Sequence, residues 1–112
     1  MGTKSSSLSS TRYGIIIITV ITALVHLYLA ITSNPFDIVF FLNFLGYLAL
    51  LAAYILPIPI LKDYKGLVRW VFMAFVVVTI IAWILVGLRV WFAYIDKILE
   101  VALVVLLWFD KP

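Results

Sequence analysis

Four long apolar runs constrain this chain more than any motif in it. Residues 13–32, 36–56, 67–86 and 91–109 each supply a stretch of mostly uncharged positions. About 20 such residues cross a hydrocarbon core of about 30 Å as a helix. The runs are rich in Ile, Val and Phe, yet a β reading fails. Lipid admits only helices or closed barrels, because every backbone N–H and C=O needs an internal partner there. A barrel would show alternating segments of about 10 residues, and these runs are continuous. The expected fold is therefore all-α: an integral membrane, antiparallel bundle of four transmembrane helices.

Composition removes the soluble alternative. The chain is 67% hydrophobic and 12% charged over 112 residues, against about 45–50% apolar and about 25% charged in a soluble domain. A soluble chain this small would leave about a third of its surface in water. One membrane domain, residues 13–112, is expected behind a polar tail, residues 1–12. No cysteine is present, which excludes disulfides, thiolate metal sites and cysteine nucleophiles. The net charge of +3 is spread over several connections and forms no basic stripe, so nucleic acid is not expected as a partner.

Local signals mark the ends of the runs. Ser33-Asn34-Pro35 closes the first, with Asn34 expected to cap the second helix and Asp37 adding negative charge near its N-terminus. Pro57 and Pro59 stop the second run. The connection continues through Lys62, Lys65 and Gly66, and Gly87 and Arg89 separate the last two runs. The tail matches M-G-x-x-x-[ST] at Gly2 and Ser6. A single acyl chain adds little to a protein that already spans. The first run is too long for a signal-peptide core and no A-x-A site follows it, so it reads as a retained helix.

Orientation follows from the basic residues. Four spans put Lys4, Arg12, Lys62, Lys65, Arg69 and Lys111 on one side and Arg89 and Lys97 on the other. Six against two places both termini in the cytoplasm of a multi-pass cell-membrane protein. Trp70, Trp91 and Trp108 fall near helix ends, at headgroup level.

The fourth run carries three ionisable residues, in Y-I-D-K-I-L-E-V-A-L. Asp96, Lys97 and Glu100 fall within about a 100° arc of a helix, and Arg89 joins their stripe if that helix extends back beyond Trp91. Counted at about 1.5 Å per residue from the outer ends, His26, Asn43, Thr79, Asp96 and Lys97 all lie about 8–10 Å deep, and Glu100 about 13 Å. Polar groups in hydrocarbon are stabilised by pairing. A shared layer of His26, Asn43, Asp96, Lys97 and Glu100 is expected, with Thr79 and Arg89 as further contributors. Gly46, Ala49 and Ala53, spaced three and four apart, form a smooth face for helix packing. Tyr47 and Tyr54 fit either the bundle interior or the lipid boundary.

Catalytic and cofactor motifs are missing. The chain has no phosphate loop, no G-x-S-x-G and no recommended nucleophile–base pair, so no catalytic residues and no enzyme activity are expected. A lone His cannot build a zinc site, and Asp96 with Glu100 would complete a carboxylate-rich one only if His26 reached both. No metal or other cofactor is expected; haem or chlorophyll ligation by His26 is the minor alternative.

Length and span number match small multidrug-resistance transporters and dual-topology fluoride channels. The residues do not: the former share a membrane-embedded glutamate on helix one, where this chain has only His26, and both favour weak charge bias, against six to two here, so both families are set aside. H-L-Y-L-A, L-N-F-L-G-Y-L-A-L-L-A-A-Y-I-L-P and Y-I-D-K-I-L-E-V-A-L together resemble short bacterial four-helix membrane proteins of unassigned function, over about residues 20–108. That resemblance implies the polar stretch is a signature, and it lends no activity. The first functional expectation is a small non-catalytic accessory or structural subunit of a larger membrane complex, respiratory or photosynthetic. Its partners would be the lipid bilayer and other membrane subunits, or further copies of itself. The alternatives are a minimal proton- or cation-coupled transporter or channel using Glu100 and His26, and a quinone or tetrapyrrole binder.

Overall fold

The computed structural model describes residues 10–33, 35–87 and 89–110. Four α-helices follow one another: α1 Ser10–Thr32, α2 Ile38–Ile55, α3 Lys65–Val86 and α4 Trp91–Phe109, with a 3-10 segment Pro59–Tyr64 before α3. No strand occurs among the described residues.

The helix ends are set by side chains more than by glycines. Asp37 caps α2: its Oδ1 accepts from the Val39 and Phe40 amides at 2.9 and 3.1 Å. This corrects the expected start. The cap is Asp37 and the helix begins at Ile38, because a carboxylate can reach the free amides of the first turn only from the residue just outside it. Asn34, Gly2, Ser6, Lys4 and Lys111 lie outside the described residues. At its far end α2 hands its free carbonyls to Lys65, whose Nζ donates to Ala53 and Leu56 at 2.6 Å each. Lys65 itself sits in the first turn of α3, which therefore starts two residues before the expected 67. Arg69 does the same for α4, donating to the carbonyls of Leu107 and Trp108 at 2.8 and 3.3 Å. Two of the basic residues that carry the charge bias are thus also C-caps, where the helix dipole favours a cation.

Each helix packs on the two beside it, and α1 against α4 closes the ring. The core stripe of α4 is Ala93, Asp96, Glu100, Leu103 and Leu107, and that of α1 runs through Ile15, Thr19, Thr22, Ala23 and His26. Both follow the three-and-four spacing of a helix face. α2 offers Tyr47 and Tyr54, and α3 offers Phe72, Met73, Val76 and Thr79.

The outer faces are apolar. Ile17, Leu24 and Ile31 on α1, Leu42 and Leu45 on α2, Val78 and Leu85 on α3, and Ile98, Val101 and Val105 on α4 are all exposed. Asp96 and Glu100 are buried while these aliphatic side chains are exposed, the reverse of the usual distribution in a soluble domain. α1, α2 and the segment Pro59–Val86 are each long and apolar enough to cross a membrane. α4 has 19 residues but carries Asp96, Lys97 and Glu100, and does not reach that measure of apolarity.

Candidate functional site: a buried carboxylate pair beneath a one-sided cavity

Helical spacing assembles the site. Asp96 and Glu100 are one turn apart on α4, Thr22 and His26 one turn apart on α1, and the two pairs face each other across the α1–α4 seam. Tyr47 reaches in from α2. All five side chains are buried, and Thr22, Glu100 and Tyr47 are fully so at 0% exposure.

Glu100 collects most of the contacts. Tyr47 donates its phenolic hydrogen to Glu100 Oε2 at 2.6 Å. Lys97 donates to Glu100 Oε1 at 2.7 Å and lies 3.5 Å from Asp96 Oδ2. Thr22 Oγ1 is 2.6 Å from Asp96 Oδ1 and 3.1 Å from Glu100 Oε2. His26 Nδ1 lies 2.8 Å from the Thr22 carbonyl. A carbonyl only accepts, so Nδ1 carries a hydrogen. Neutral His26 then presents the lone pair of Nε2 toward Glu100 Oε2, 3.9 Å away. Its ring is held between Phe40 and Tyr47, with centroids at 6.1 and 5.5 Å.

Two counts define what this arrangement holds. Two carboxylates and one ammonium carry a net charge of −1, which a low-dielectric interior disfavours. The hydroxyl of Thr22 has one hydrogen and two acidic neighbours. If it goes to the nearer Asp96, the contact to Glu100 Oε2 needs a hydrogen from the glutamic side. One additional proton on the Asp96–Glu100 pair corrects both counts: on Glu100 it fills the longer contact, and on Asp96 it fills the shorter one and leaves the Thr22 hydrogen for Glu100.

A cation is the other species that meets the charge count. Ligand atoms of His26, Asp96 and Glu100 lie within 4.8 Å of one another, so His26 does reach both carboxylates. The Lys97 ammonium already occupies the positive position between them, and a divalent ion would have to displace it.

A cavity of about 350 Å³ leads to this cluster. His26, Asp96 and Lys97 lie at its floor, Asn43, Thr79, Phe40 and Trp83 along its walls, and Ser33, Asp37 and Gly87 where the helices end. Glu100 lies one turn deeper than Asp96, behind that floor. The opposite direction is closed by Ile15, Phe72, Leu103 and Leu107, each fully buried.

The remaining residues singled out in the sequence take other places. Asn43 Oδ1 lies 3.1 Å from the Thr79 hydroxyl across the α2–α3 seam, and its amide donates to the Val39 carbonyl at 3.1 Å. Both line the cavity above the carboxylates. Arg89 does not join the stripe, because α4 begins at Trp91. Its guanidinium instead donates to the Ile84 carbonyl at 2.6 Å and lies 4.2 Å above the Trp83 ring. Gly46 packs under Phe75, where an added Cβ would stand 2.6 Å from the ring. Ala49 is exposed and Ala53 half-buried, so the three do not form one seam. Three residues turn a helix by about 300°, which carries Ala49 about 60° away from Gly46 and out of the contact.

A second polar group, which sequence reasoning missed, sits at the other end. Asp110 Oδ2 lies 3.1 Å from Arg12 Nε and also accepts from the Tyr54 hydroxyl. The Arg12 guanidinium stands 5.3 Å from the centroid of the Tyr54 ring. Thr22 was missed as well. Its available signal is a hydroxyl exactly one turn before His26, and for Tyr54 the signal is the seven-residue interval from Tyr47, two turns along one face.

No protein family, curated protein or solved structure matches the chain.

Proposed function

We propose that this is a four-span integral membrane protein that takes up and releases a proton at Glu100 from the non-cytoplasmic side, as the core of a small proton- or cation-coupled carrier. The observation that carries the reading is the fully buried Glu100, bonded by Tyr47 and Lys97, behind a cavity that opens at one end of the bundle. α4 supplies the fourth span. Its ionisable residues face its neighbours, so its lipid-facing side is apolar, and its length of about 28 Å matches the hydrocarbon core. With both termini cytoplasmic, the cavity faces outward. The apolar collar of Ile15, Phe72, Leu103 and Leu107 closes the inner side, an arrangement suited to loading from one side before release to the other. Intramembrane carboxylates facing a bundle interior commonly mark proton paths.

Purified protein reconstituted in vesicles with an internal pH dye is the test. An imposed pH gradient should collapse faster than in empty vesicles, and Glu100→Gln should remove the difference. Flux unchanged by Glu100→Gln would refute the reading.

A second reading, the accessory subunit of a respiratory or photosynthetic assembly, draws on an apolar groove between α1 and α4 lined by Ile21, Leu24, Tyr28, Trp91 and Phe92. A neighbouring membrane helix would fit there. Under that reading the protein comigrates with larger partners on native gels of its own membranes, and Glu100→Gln weakens folding with no flux to lose. For the tetrapyrrole reading, His26 Nε2 is directed at Glu100 inside the bundle; an absorbance spectrum of protein purified from its own membranes tests it.

A further inference from the structure

Thr19 is fully buried, and its hydroxyl has no hydrogen-bond partner among the described residues. A threonine inside a helix ordinarily returns its hydroxyl hydrogen to the carbonyl one turn back. Thr32 and Thr79 do so here, to Tyr28 and Phe75 at 2.7 and 2.9 Å. Thr19 does not. An unsatisfied buried hydroxyl destabilises a fold, and valine at this place would have the same shape without that cost.

Its position gives the hydroxyl a use. Thr19 lies on the inward stripe of α1 between Thr22, about 4.5 Å away along the axis, and Arg12, about 10.5 Å away. Thr22 belongs to the Glu100 cluster and Arg12 to the Asp110 cluster. The two clusters are about 10–15 Å apart, whether counted from Tyr47 to Tyr54 on α2 or from Glu100 to Asp110 on α4. The core stripes between them hold Ile15, Phe72, Leu103 and Leu107, all apolar.

We propose that Thr19 holds a water molecule that passes protons between Glu100 and Asp110, so that the two polar ends form one path through the bundle. The proposal rests on the proton-carrier reading above and extends it to the inner side. The Glu100 O–H bond breaks as its proton moves to the oxygen of this water. A different hydrogen of the same water leaves toward Asp110, through a short-lived file of water past Ile15 and Leu107. Asp110 then releases its proton to the cytoplasm, and the water is restored. Nothing is consumed. Lys97 and Asp96, with His26 and Tyr47, face the upper end of the path; Arg12 and Tyr54 face the lower end. Passage past the apolar collar is the slow step, which keeps the path from acting as an open leak.

Thr19→Val and Thr19→Ser in reconstituted vesicles test this. Valine should slow proton flux by about tenfold or more while leaving the melting temperature unchanged or higher, and serine should keep the wild-type rate. Equal flux in all three proteins, with Glu100→Gln still inactive, would overturn the relay and leave the carrier reading standing. Flux indifferent to Glu100→Gln would overturn both. A second readout needs no flux: the infrared O–H stretch of a weakly bonded buried water should be present in wild type and Thr19→Ser and absent in Thr19→Val. Identical spectra for the three would refute the relay.

Discussion

Glu100 Oε2 and His26 Nε2 face each other at 3.9 Å with the His26 ring fixed by its Nδ1 bond to the Thr22 carbonyl. The separation is too long for a hydrogen bond, while Thr22 Oγ1 stands within bonding range of the same carboxyl oxygen at 3.1 Å. The proton required by charge and donor counts therefore belongs to the Asp96–Glu100 pair and is not shared between Glu100 and His26, which lies with Asp96 and Lys97 at the cavity floor.

Lys97→Met tests the charge count. Without the ammonium, the site needs a proton on each carboxyl to stay neutral, whereas the unfolded chain needs neither above the ordinary carboxylate range. The folded state then binds more protons than the unfolded state, so stability falls as pH rises, by up to about 1.4 kcal/mol per pH unit for each excess proton. The expected outcome is a variant that melts near the wild-type temperature at acid pH and progressively lower toward alkaline pH. Melting that is independent of pH would contradict it.

Gly46→Ala tests the α2–α3 contact. The new methyl group would meet the Phe75 ring at 2.6 and 2.8 Å, and Phe75 stands edge-on against Tyr47 with centroids 5.0 Å apart. Displacing Phe75 disturbs the phenol that bonds Glu100. A loss of about 1–3 kcal/mol is expected from overpacking, measured by thermal or denaturant unfolding in detergent, together with slower proton uptake. Gly46→Ala with wild-type stability would show that the ring has room to move.

Asp37→Ala should cost about 0.5–2 kcal/mol through loss of the α2 cap, and Asp37→Asn should restore most of it. Amide hydrogen exchange locates the effect: Val39 and Phe40 are expected to lose protection in the alanine variant, with α4 unchanged.

Asp110→Ala leaves the Tyr54 hydroxyl without its acceptor and removes the carboxylate that holds Arg12. A buried donor left without a partner costs about 1–3 kcal/mol. A lowered melting temperature is expected, along with increased exchange at the start of α1 and the end of α4. Equal stability would mean that this end of the bundle is held by apolar packing alone.

The sequence was informative where chemistry changes abruptly and silent where it does not. α4 runs over the expected 91–109 because Gly87 and Arg89 precede it and Asp110 ends it. Asp96, Lys97 and Glu100 stand out in an apolar helix, so their common face could be read from spacing. α2 starts at Ile38, two residues beyond the expected 36, because Asn34-Pro35 has the composition of a cap while the residue that reaches the free amides is Asp37. Arg89 fell away for a related reason: its stripe existed only if α4 extended past Trp91. Thr22, Thr19 and Tyr47 gave no strong local signal, since hydroxyl side chains are unremarkable in membrane helices. What sets them apart is an opposing carboxylate, or the want of one. The Thr22–Asp96 contact joins positions 74 residues apart, and no local pattern in one sequence encodes that pairing.

Infrared titration of the purified protein tests the central claim most directly. Wild type at neutral pH should show the C=O stretch of one protonated carboxyl that disappears on alkaline titration and is missing in Glu100→Gln, while Asp110→Asn keeps it. A spectrum with no protonated carboxyl at neutral pH, or a band that survives Glu100→Gln unchanged, would contradict the account.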